Sequence, residues 1–244
     1  LNSNEQSVSR IDPSTKALLR TIPAPTIASD IAVGTGAVWV AGAGHILGRI
    51  DPDAPLTPRQ VTLPGVQNPL LPRLESQVAA TSQAVWATTT GAVWRIEPDP
   101  RRRFDVIEQG CCGAIAIGFD SIWVAGSFGV ERVRVGSGQL EAQIKLPFQG
   151  ASLAVGVGGV WVSDSSSDRI WRIDPKLNTV GTTIAVGQQP TGIAVGAGSV
   201  WVASGNGTVS RIDPTTDRVV ITSDVGGTPS GIAVGAGTVW VSID

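Results

Sequence analysis

The two cysteines of the chain are adjacent, in the sequence Gly110-Cys111-Cys112-Gly113. In an oxidising compartment these thiols have only each other unless the protein dimerises, so a disulfide between neighbouring residues is the simplest hypothesis. The flanking glycines would permit the unusual backbone angles of such a strained ring. Its flat, polarisable surface would lie with Phe128 and Phe148, which we place in nearby loops. In the cytosol, the alternative is two reduced thiols without a role.

His45 is the only histidine, so a Ser-His-Asp site would have to use it. No G-x-S-x-G nucleophile motif accompanies it. The chain also lacks the ligands for a zinc site, because two adjacent cysteines and one distant histidine do not form a tetrahedral ligand set. We therefore predict no catalytic residue and retain His45 as a candidate ligand-binding residue in a loop.

A third group of candidates lies in the segment 64–77, which is much longer than the corresponding segments elsewhere in the chain. It contains Asn68, Arg73 and Glu75. Loops that lengthen within an otherwise uniform repeat commonly carry binding, so Arg73 and Glu75 become candidates. The alternative is that the three prolines of this segment only stiffen a cover over a channel.

Six tryptophans reveal the repeat that these candidates interrupt. Each lies in a V-W-V-like triplet, and successive triplets are 37 to 47 residues apart: Trp39, Trp86, Trp123, Trp161, Trp201 and Trp240. Residues 192–225 give the clearest repeat, with four short β-branched runs separated by turn signals such as Asn206-Gly207 and Asp213-Pro214. A four-stranded repeat of about 40 residues is typical of a β-propeller blade.

The two ends of the chain fit one further blade. Residues 8–22 have the pattern of a third and fourth strand, and residues 231–242 that of a first and second strand. We therefore predict an all-β chain that forms one domain over residues 1–244, a six-bladed β-propeller with four antiparallel strands in each blade. Its last blade would combine residues 231–244 with 1–22, so that the N-terminal strands close the ring and hide the strand edges.

Residues that recur once in each blade are predicted to be structural. The tryptophans supply the apolar area that packing between blades requires. An arginine recurs before each turn between the third and fourth strands, and we expect it to bind neighbouring carbonyls or carboxylates: Arg10, Arg49, Arg95, Arg132, Arg172 and Arg211. An acidic residue precedes proline at most of these turns, where it favours a type I turn: Asp12, Asp51, Glu97, Asp174 and Asp213.

The pattern P-x-G-I-A-V-G-x-G-x-V-W-V, found at residues 190–202 and 229–241 and followed by R-I-D-P, resembles a known group of bacterial repeats. This is the YVTN, NHL and streptogramin-lyase-like group of β-propeller repeats, and the resemblance covers the whole chain. It implies blade architecture and often an extracytoplasmic domain, including the sensor domains of membrane-anchored Ser/Thr kinases. Streptogramin lyases rely on histidine chemistry with a divalent cation, and the single histidine here departs from that requirement.

Asp30 is the one acidic residue among the six positions that lead into the innermost strands. The others are Gln77, Gly113, Ser152, Gly192 and Gly231. A calcium site in the channel, as in a lactonase-like enzyme, would need several carboxylates and amides there. We therefore predict no metal and no other cofactor, and keep Asp30 as a candidate for binding another ligand.

The composition narrows the choice of function. The net charge of −2 gives no general attraction to phosphates, which argues against nucleic acid as a partner, and no apolar run is long enough to insert into a membrane. Because residue 1 is Leu, we expect a processed or excised domain, and we expect a monomer.

We define the top face as the loops that lead into first strands and those that join second to third strands.

The sequence thus favours a non-catalytic, extracytoplasmic recognition or sensor domain that binds a small molecule or a protein on its top face. The candidate residues all lie where loops depart from the repeat: Asp30, His45, Arg73, Glu75, Cys111, Cys112, Phe128 and Phe148. One alternative is a lyase or a lactonase-like enzyme with a divalent metal at the mouth of the channel. A second alternative is a structural module for protein interactions.

Overall fold

The structure is a computed structural model, and every regular element among the residues that it describes is a β-strand. It describes residues 5–24, 28–42, 45–53, 58–63, 76–89, 91–97, 104–109, 113–126, 129–150 and 152–243. The predicted all-β class is confirmed. None of the described residues belongs to a helix of the length and apolarity needed to cross a membrane. The chain divides into two compact units, residues 1–115 and 116–244, and each is described separately.

The first unit contains one hairpin and two four-stranded sheets. The hairpin consists of β1 (Ser7–Ile11) and β2 (Leu18–Pro23). The first sheet consists of β3 (Ala28–Gly34), β4 (Ala37–Gly42), β5 (Ile46–Ile50) and β6 (Arg59–Thr62). The second sheet consists of β7 (Val78–Ala80), β8 (Val85–Thr89), β9 (Ala92–Ile96) and β10 (Phe104–Gln109). In both sheets, strands that follow one another in sequence are neighbours.

The second unit repeats this pattern in three sheets and ends in a hairpin. Its first sheet, whose first strand begins at the end of the first unit, consists of β11 (Ile115–Gly118), β12 (Ser121–Gly126), β13 (Gly129–Arg134) and β14 (Leu140–Lys145). The next consists of β15 (Leu153–Gly156), β16 (Gly159–Asp164), β17 (Arg169–Asp174) and β18 (Thr179–Ala185). The third consists of β19 (Pro190–Gly196), β20 (Ser199–Ser204), β21 (Thr208–Asp213) and β22 (Arg218–Asp224). The hairpin consists of β23 (Pro229–Gly235) and β24 (Thr238–Ile243).

One register recurs in these sheets and places the repeated residues side by side. In the sheet β15–β18, Ala154 pairs with Trp161, which pairs with Arg172. Corresponding trios occur at Ala32, Trp39 and Arg49 and at Ala194, Trp201 and Arg211. Four of the second-strand tryptophans have no exposed surface: Trp39, Trp86, Trp123 and Trp161. Their predicted role in packing between sheets is confirmed.

Glycine at the end of a first strand lets neighbouring sheets approach closely. A Cβ added to Gly196 would lie 2.5 Å from Val234 Cγ1, and one added to Gly156 would lie 2.7 Å from Val195 Cγ1. The carbonyls of the same two glycines accept the indole N–H of Trp201 at 3.3 Å and of Trp161 at 3.1 Å. The glycines of the repeat therefore serve both packing and hydrogen bonding.

The recurring arginine connects one sheet to the next within the second unit. Arg172 Nη1 donates to Pro214 O at 2.9 Å and to Asp217 Oδ1 at 2.6 Å. Arg132 Nη1 makes the corresponding bonds to Pro175 O at 2.7 Å and to Asn178 Oδ1 at 3.0 Å. For these two arginines, the prediction that they bind neighbouring carbonyls and carboxylates is confirmed.

The acidic residues before proline initiate turns, as predicted. Asp174 Oδ1 accepts the N–H groups of Lys176 at 2.7 Å and Leu177 at 3.1 Å, and these bonds lower the pKa of its carboxyl. Asp12, Asp51 and Asp213 accept the N–H two residues ahead in the same way. The side chains serve as local turn caps.

The two hairpins each pack on a neighbouring sheet of their own unit. Val8 and Ile22 of the first hairpin form an apolar cluster with Val40 and Ile50 of the sheet β3–β6. In the second unit, β23 lies against β19 and β20, and an added Cβ on Gly196 would strike Val234 of β23. Each hairpin thus packs against a four-stranded sheet of its own unit, as two strands of an incomplete blade would.

Candidate functional site

Asp30 lies on β3, just after a bulge, and links two sheets of the first unit. Its Oδ2 accepts the N–H of Val78, the first residue of β7, at 2.7 Å, and its Oδ1 accepts the N–H of Ile31 at 2.8 Å. Burial raises the pKa of the Asp30 carboxyl to about 6, although the two N–H donors act in the opposite direction. Oδ2 therefore holds the innermost strands β3 and β7 together, and Oδ1 is used by the backbone of β3 itself.

His45 occupies a backbone position that recurs in the sheets. It precedes β5 with a left-handed φ of 60°, and its carbonyl accepts the N–H of Leu63 at 2.8 Å. Asp168 has φ 56° and its carbonyl accepts the N–H of Val186, and Gly207 has φ 84° and accepts from Val225. Because Asp168 and Gly207 serve this role without an imidazole, the backbone at residue 45 does not itself require histidine.

Five of the predicted ligand-binding residues lie outside the described residues. They are Arg73, Glu75, Cys111, Cys112 and Phe128. The hypotheses of a long binding loop and of a patch that joins sulfur to aromatic rings therefore stay predictions.

Phe148 is described, and it lies against a tryptophan of the following sheet. Its ring centroid is 5.3 Å from that of Trp171, with the planes tilted by 42°. Both residues are partly exposed. Phe148 is carried by the connection from β14 to β15, between the buried residues Leu146 and Gly150. A Cβ on Gly150 would lie 2.8 Å from Val162 and 3.2 Å from Ala125, so this connection lies close against β12 and β16.

The indole N–H of Trp171 has no acceptor among the described residues, although the nitrogen is buried. Trp94 occupies the same place in the sheet β7–β10, since each tryptophan directly precedes the repeated arginine of its third strand. Trp94 Nε1 donates to Thr89 Oγ1 at 3.0 Å. A buried indole normally finds such a partner, and Trp171 lacks one, as does Trp86 of β8.

The residue that corresponds to Thr89 is Asp164, and its oxygens are already used. Asp164 Oδ1 accepts from the N–H and hydroxyl of Ser166 at 3.0 and 2.6 Å, and Oδ2 accepts from the hydroxyl of Ser167 at 2.5 Å. Burial by itself would raise the pKa of Asp164, but the hydrogen bonds from the two serines outweigh it and lower the pKa. The carboxylate is therefore ionised and turned to its own loop.

Arg169 lies on the same face of the sheet as Trp171. The two are separated by one residue on β17, so their side chains project to one side. Arg169 is exposed and donates to Thr183 Oγ1 at 3.5 Å, and Thr183 is the β18 residue that pairs with Trp171. We call Phe148, Arg169, Trp171 and Thr183 the Trp171 surface. It is bordered by two top-face loops as defined above.

The Trp171 surface offers apolar rings and unused hydrogen-bond donors. The accessible donors belong to the guanidinium of Arg169, which forms no ion pair among the described residues, whereas the Trp171 nitrogen is buried. Within the same residues, no group of three or more His, Cys, Asp or Glu side chains is placed to hold a metal ion. The arrangement suits binding of a ligand that carries acceptor atoms.

Trp171 was not among the candidates from sequence, whereas Phe148 was. The sequence does contain a feature that singles out this position. Trp94 and Trp171 are the two tryptophans outside the V-W-V-like triplets, and both lie in the sequence W-R-I. A tryptophan that recurs at one position of the repeat is expected to serve packing, and Trp94 does so. Only the contacts distinguish Trp171 from it.

The chain matches no protein-family model and no curated protein at a significant level.

Proposed function

We propose that the chain is a non-catalytic, extracytoplasmic recognition or sensor domain that binds a small molecule or a protein on its top face. The observation that carries this proposal is the Trp171 surface, where two partly exposed aromatic rings lie beside the exposed Arg169. Aromatic and arginine side chains are enriched where proteins bind their partners.

The use of the other polar side chains supports the same conclusion. The repeated arginines Arg132 and Arg172 bind the next sheet, and the repeated aspartates cap turns. Asp30 holds β3 to β7 through Oδ2, and its Oδ1 accepts from the backbone of β3. These groups are committed to structure, which leaves the departures from the repeat as the places for recognition.

The finer architecture belongs to the same proposal. We infer a closed six-bladed propeller in which β1–β2 and β23–β24 together form the sixth blade. The sequence supports this, and so does the packing of each hairpin against a full sheet within its own unit. An extracytoplasmic location accords with the proposed Cys111–Cys112 disulfide and with the resemblance to sensor propellers.

The test uses protein labelled with 5-fluorotryptophan, which gives one 19F NMR signal for each of the 8 tryptophans. The Trp171→Phe and Trp94→Phe variants assign two of these signals. Mixtures of sugars, amino acids, organic acids and short peptides are then added, with and without divalent cations. We expect at least one compound to shift the Trp171 signal in a saturable way, to leave the Trp94 signal unchanged, and to be recovered chemically intact.

Trp94→Phe is the matched control, because it removes an indole from the same repeat position in the other unit. Binding should survive Trp94→Phe and be weakened by Trp171→Phe. Conversion of a compound that depends on a divalent cation would overturn the proposal in favour of an enzyme. A Trp171 signal that no compound shifts would also contradict it and would favour a structural module.

A further inference from the structure

We propose that the chain forms a dimer in which the outer edges of two copies of β22 pair as antiparallel strands. The occupant of this edge is thus a second copy of the chain. The dimer uses a different surface from the proposed ligand site and does not depend on it. It departs from the monomer that the sequence led us to expect.

The fourth strand of each sheet is an outer strand with one unpaired edge. In the sheet β19–β22, the order of strands leaves β22 bonded to β21 alone. The N–H of Val225, just after β22, donates to Gly207 O at 3.0 Å, just before β21. Backbone groups of an antiparallel strand alternate between its two edges, so those of Thr222 and Asp224 point away from β21. They form a template on which another strand can pair.

The other fourth strands carry features that discourage such pairing. β6 has only four residues, β14 contains Glu141, and Gly181 interrupts β18. In the first hairpin, β2 ends at Pro23. The sequence of β10 contains Asp105 and Glu108, whose like charges would face each other if two copies of this strand paired antiparallel about its centre. Charges, proline and short length are the usual protections of an exposed edge.

β22 has none of these protections. It runs for seven residues, Arg218–Asp224, without proline or glycine, and its charges lie only at its two ends. Val220 and Ile221 between them are each 53% exposed. Blades of a propeller stack through the faces of their sheets, so closure of the proposed ring would leave the outer edge of β22 open. A long, apolar and unprotected edge is a place where chains associate.

The charges of β22 select the partner and the register. Antiparallel pairing of two copies about Ile221 brings Arg218 of each copy opposite Asp224 of the other. Opposite charges on facing residues of paired strands attract each other. Among the described residues, Arg218 forms no ion pair. Asp224 accepts a bond only at Oδ1, from the N–H of Gly226 at 2.8 Å, which leaves Oδ2 for the second copy.

The bulge in β22 is compatible with this register. Val220 is the extra residue, because the residues on either side of it pair with Ile212 and Arg211, which are adjacent on β21. A symmetric dimer carries the bulge once in each copy, so the two extra residues compensate each other. The two ends of β22 therefore remain opposite their counterparts.

Charge variants of the full chain test the register. Arg218→Asp places like charges opposite each other at both ends of the pairing, and Asp224→Arg does the same with the sign reversed. We expect the native chain to dimerise with a dissociation constant of about 1 to 100 μM in sedimentation velocity, because one strand pair is a small interface. Each variant alone should dimerise at least about tenfold more weakly.

A mixture of these two variants is the most selective sample. In a heterodimer of Arg218→Asp with Asp224→Arg, each facing pair again has opposite charges, so association should return to within about threefold of the native value. Lys145→Asp is the matched control, because it makes the same change of charge at the exposed end of β14 and should dimerise like the native chain. Urea unfolding curves establish that each variant is folded.

A disulfide between the copies tests the centre of the pairing. Ile221→Cys, in a chain that also carries Cys111→Ser and Cys112→Ser, should form a covalent dimer on mild oxidation, because each thiol faces its own copy. In Ser223→Cys, the two thiols would lie about 13 Å apart along the strands and should not link. Mass measurements with and without reductant distinguish these results.

The outcomes separate this inference from the proposed function. A native chain that stays monomeric at about 300 μM would overturn the dimer and leave the edge to a strand of another protein. A dimer that persists unchanged in both charge variants would use another surface and would also overturn it. Species larger than a dimer would contradict a symmetric pairing, which closes with two copies. Binding at the Trp171 surface is measured separately by the fluorotryptophan signals.

Discussion

The buried carboxyl of Asp30 makes stability depend on pH in an unusual direction for an aspartate. Burial raises its pKa from 3.8 to about 6, so the folded state favours the protonated form. The stabilisation linked to this group is complete below pH 4 and is lost as the pH rises through 6, by up to about 3 kcal/mol. We expect Asp30→Asn to remove this loss, so that the variant gains stability relative to the native chain between pH 4 and 7.

Urea unfolding at pH 4, 5, 6 and 7 measures this difference. Asp12→Asn is the matched control, because backbone N–H donors from Thr15 and Ser14 lower the pKa of the Asp12 carboxyl. The stabilisation by Asp12 is therefore lost only as the pH falls below about 4, and its replacement should leave the profile between pH 5 and 7 parallel to that of the native chain. Parallel pH profiles for the native chain and Asp30→Asn would contradict the raised pKa.

Candidate binding residues were predicted from sequence only where they broke a rule that the sequence itself displays. Phe148 stands in a loop between repeats, so its departure was visible, and the structure places it against Trp171. Trp171 obeys the repeat shared with Trp94, but it lacks an acceptor and is partly exposed, whereas Trp94 is bonded and buried. Trp171 lacks an acceptor because Asp164 accepts from Ser166 and Ser167 instead. Such a choice of partner depends on three-dimensional contacts, which the residue pattern does not encode.

Arg172 shows how one side chain joins two elements. Its guanidinium lies 5.0 Å from the Trp161 ring and bonds Pro214 O and Asp217 Oδ1 in the next sheet. Lysine keeps the charge but cannot make the forked contact or cover the ring in the same way. We expect Arg172→Lys to lower the free energy of unfolding by about 2 kcal/mol, as measured by urea unfolding.

Arg169→Gln is the control for this prediction, since it removes an exposed arginine from the same strand and should change stability by less than about 0.5 kcal/mol. An Arg172→Lys variant as stable as Arg169→Gln would show that the bonds to Pro214 and Asp217 add nothing net.

Strands and turns were predictable because the same sequence pattern recurs in each sheet. Alternating apolar residues around each tryptophan predicted the second strands, and Asp-Pro pairs predicted the turns that Asp174 and Asp213 cap. The register that pairs Trp161 with Arg172 also follows, because a shift by one residue would turn the tryptophan out of the core. The bulge before Asp30 was not predicted, although the same bulge recurs before Gly192 and Gly231 in the second unit.

At the scale of the whole molecule, β1–β2 and β23–β24 are separate two-stranded sheets, and side chains in or beside them are exposed where their counterparts are buried. Ile11 of β1 is 45% exposed, although the residues at its position in the other sheets are at most 4% exposed: Ile50, Ile96, Val133, Ile173 and Ile212. Trp201 and Trp240 of the second unit are partly exposed, whereas the other second-strand tryptophans have no exposed surface. Closure of the ring would give both surfaces the cover that their counterparts have.

The repeat register predicts how the sixth blade would be joined. In the sheet β19–β22, Trp201 pairs with Arg211 and Val202 pairs with Ser210. By the same register, Trp240 would pair with Arg10, and Val241 with Ser9. Cross-strand Cα atoms lie about 4.5 to 5.5 Å apart, which is within the range that a disulfide spans.

We therefore expect Ser9→Cys/Val241→Cys, in a chain that also carries Cys111→Ser and Cys112→Ser, to form an intramolecular disulfide on mild oxidation. Because this bond would join the two ends of the chain, it should raise the unfolding temperature and stabilise the fold by about 2 to 4 kcal/mol. In the control, Thr238→Cys replaces Val241→Cys and moves the second thiol about 10 Å along β24, too far for a bond. Mass spectrometry and thermal unfolding give the answer: a ring closed in another register would link the control pair instead, and an open chain would link neither.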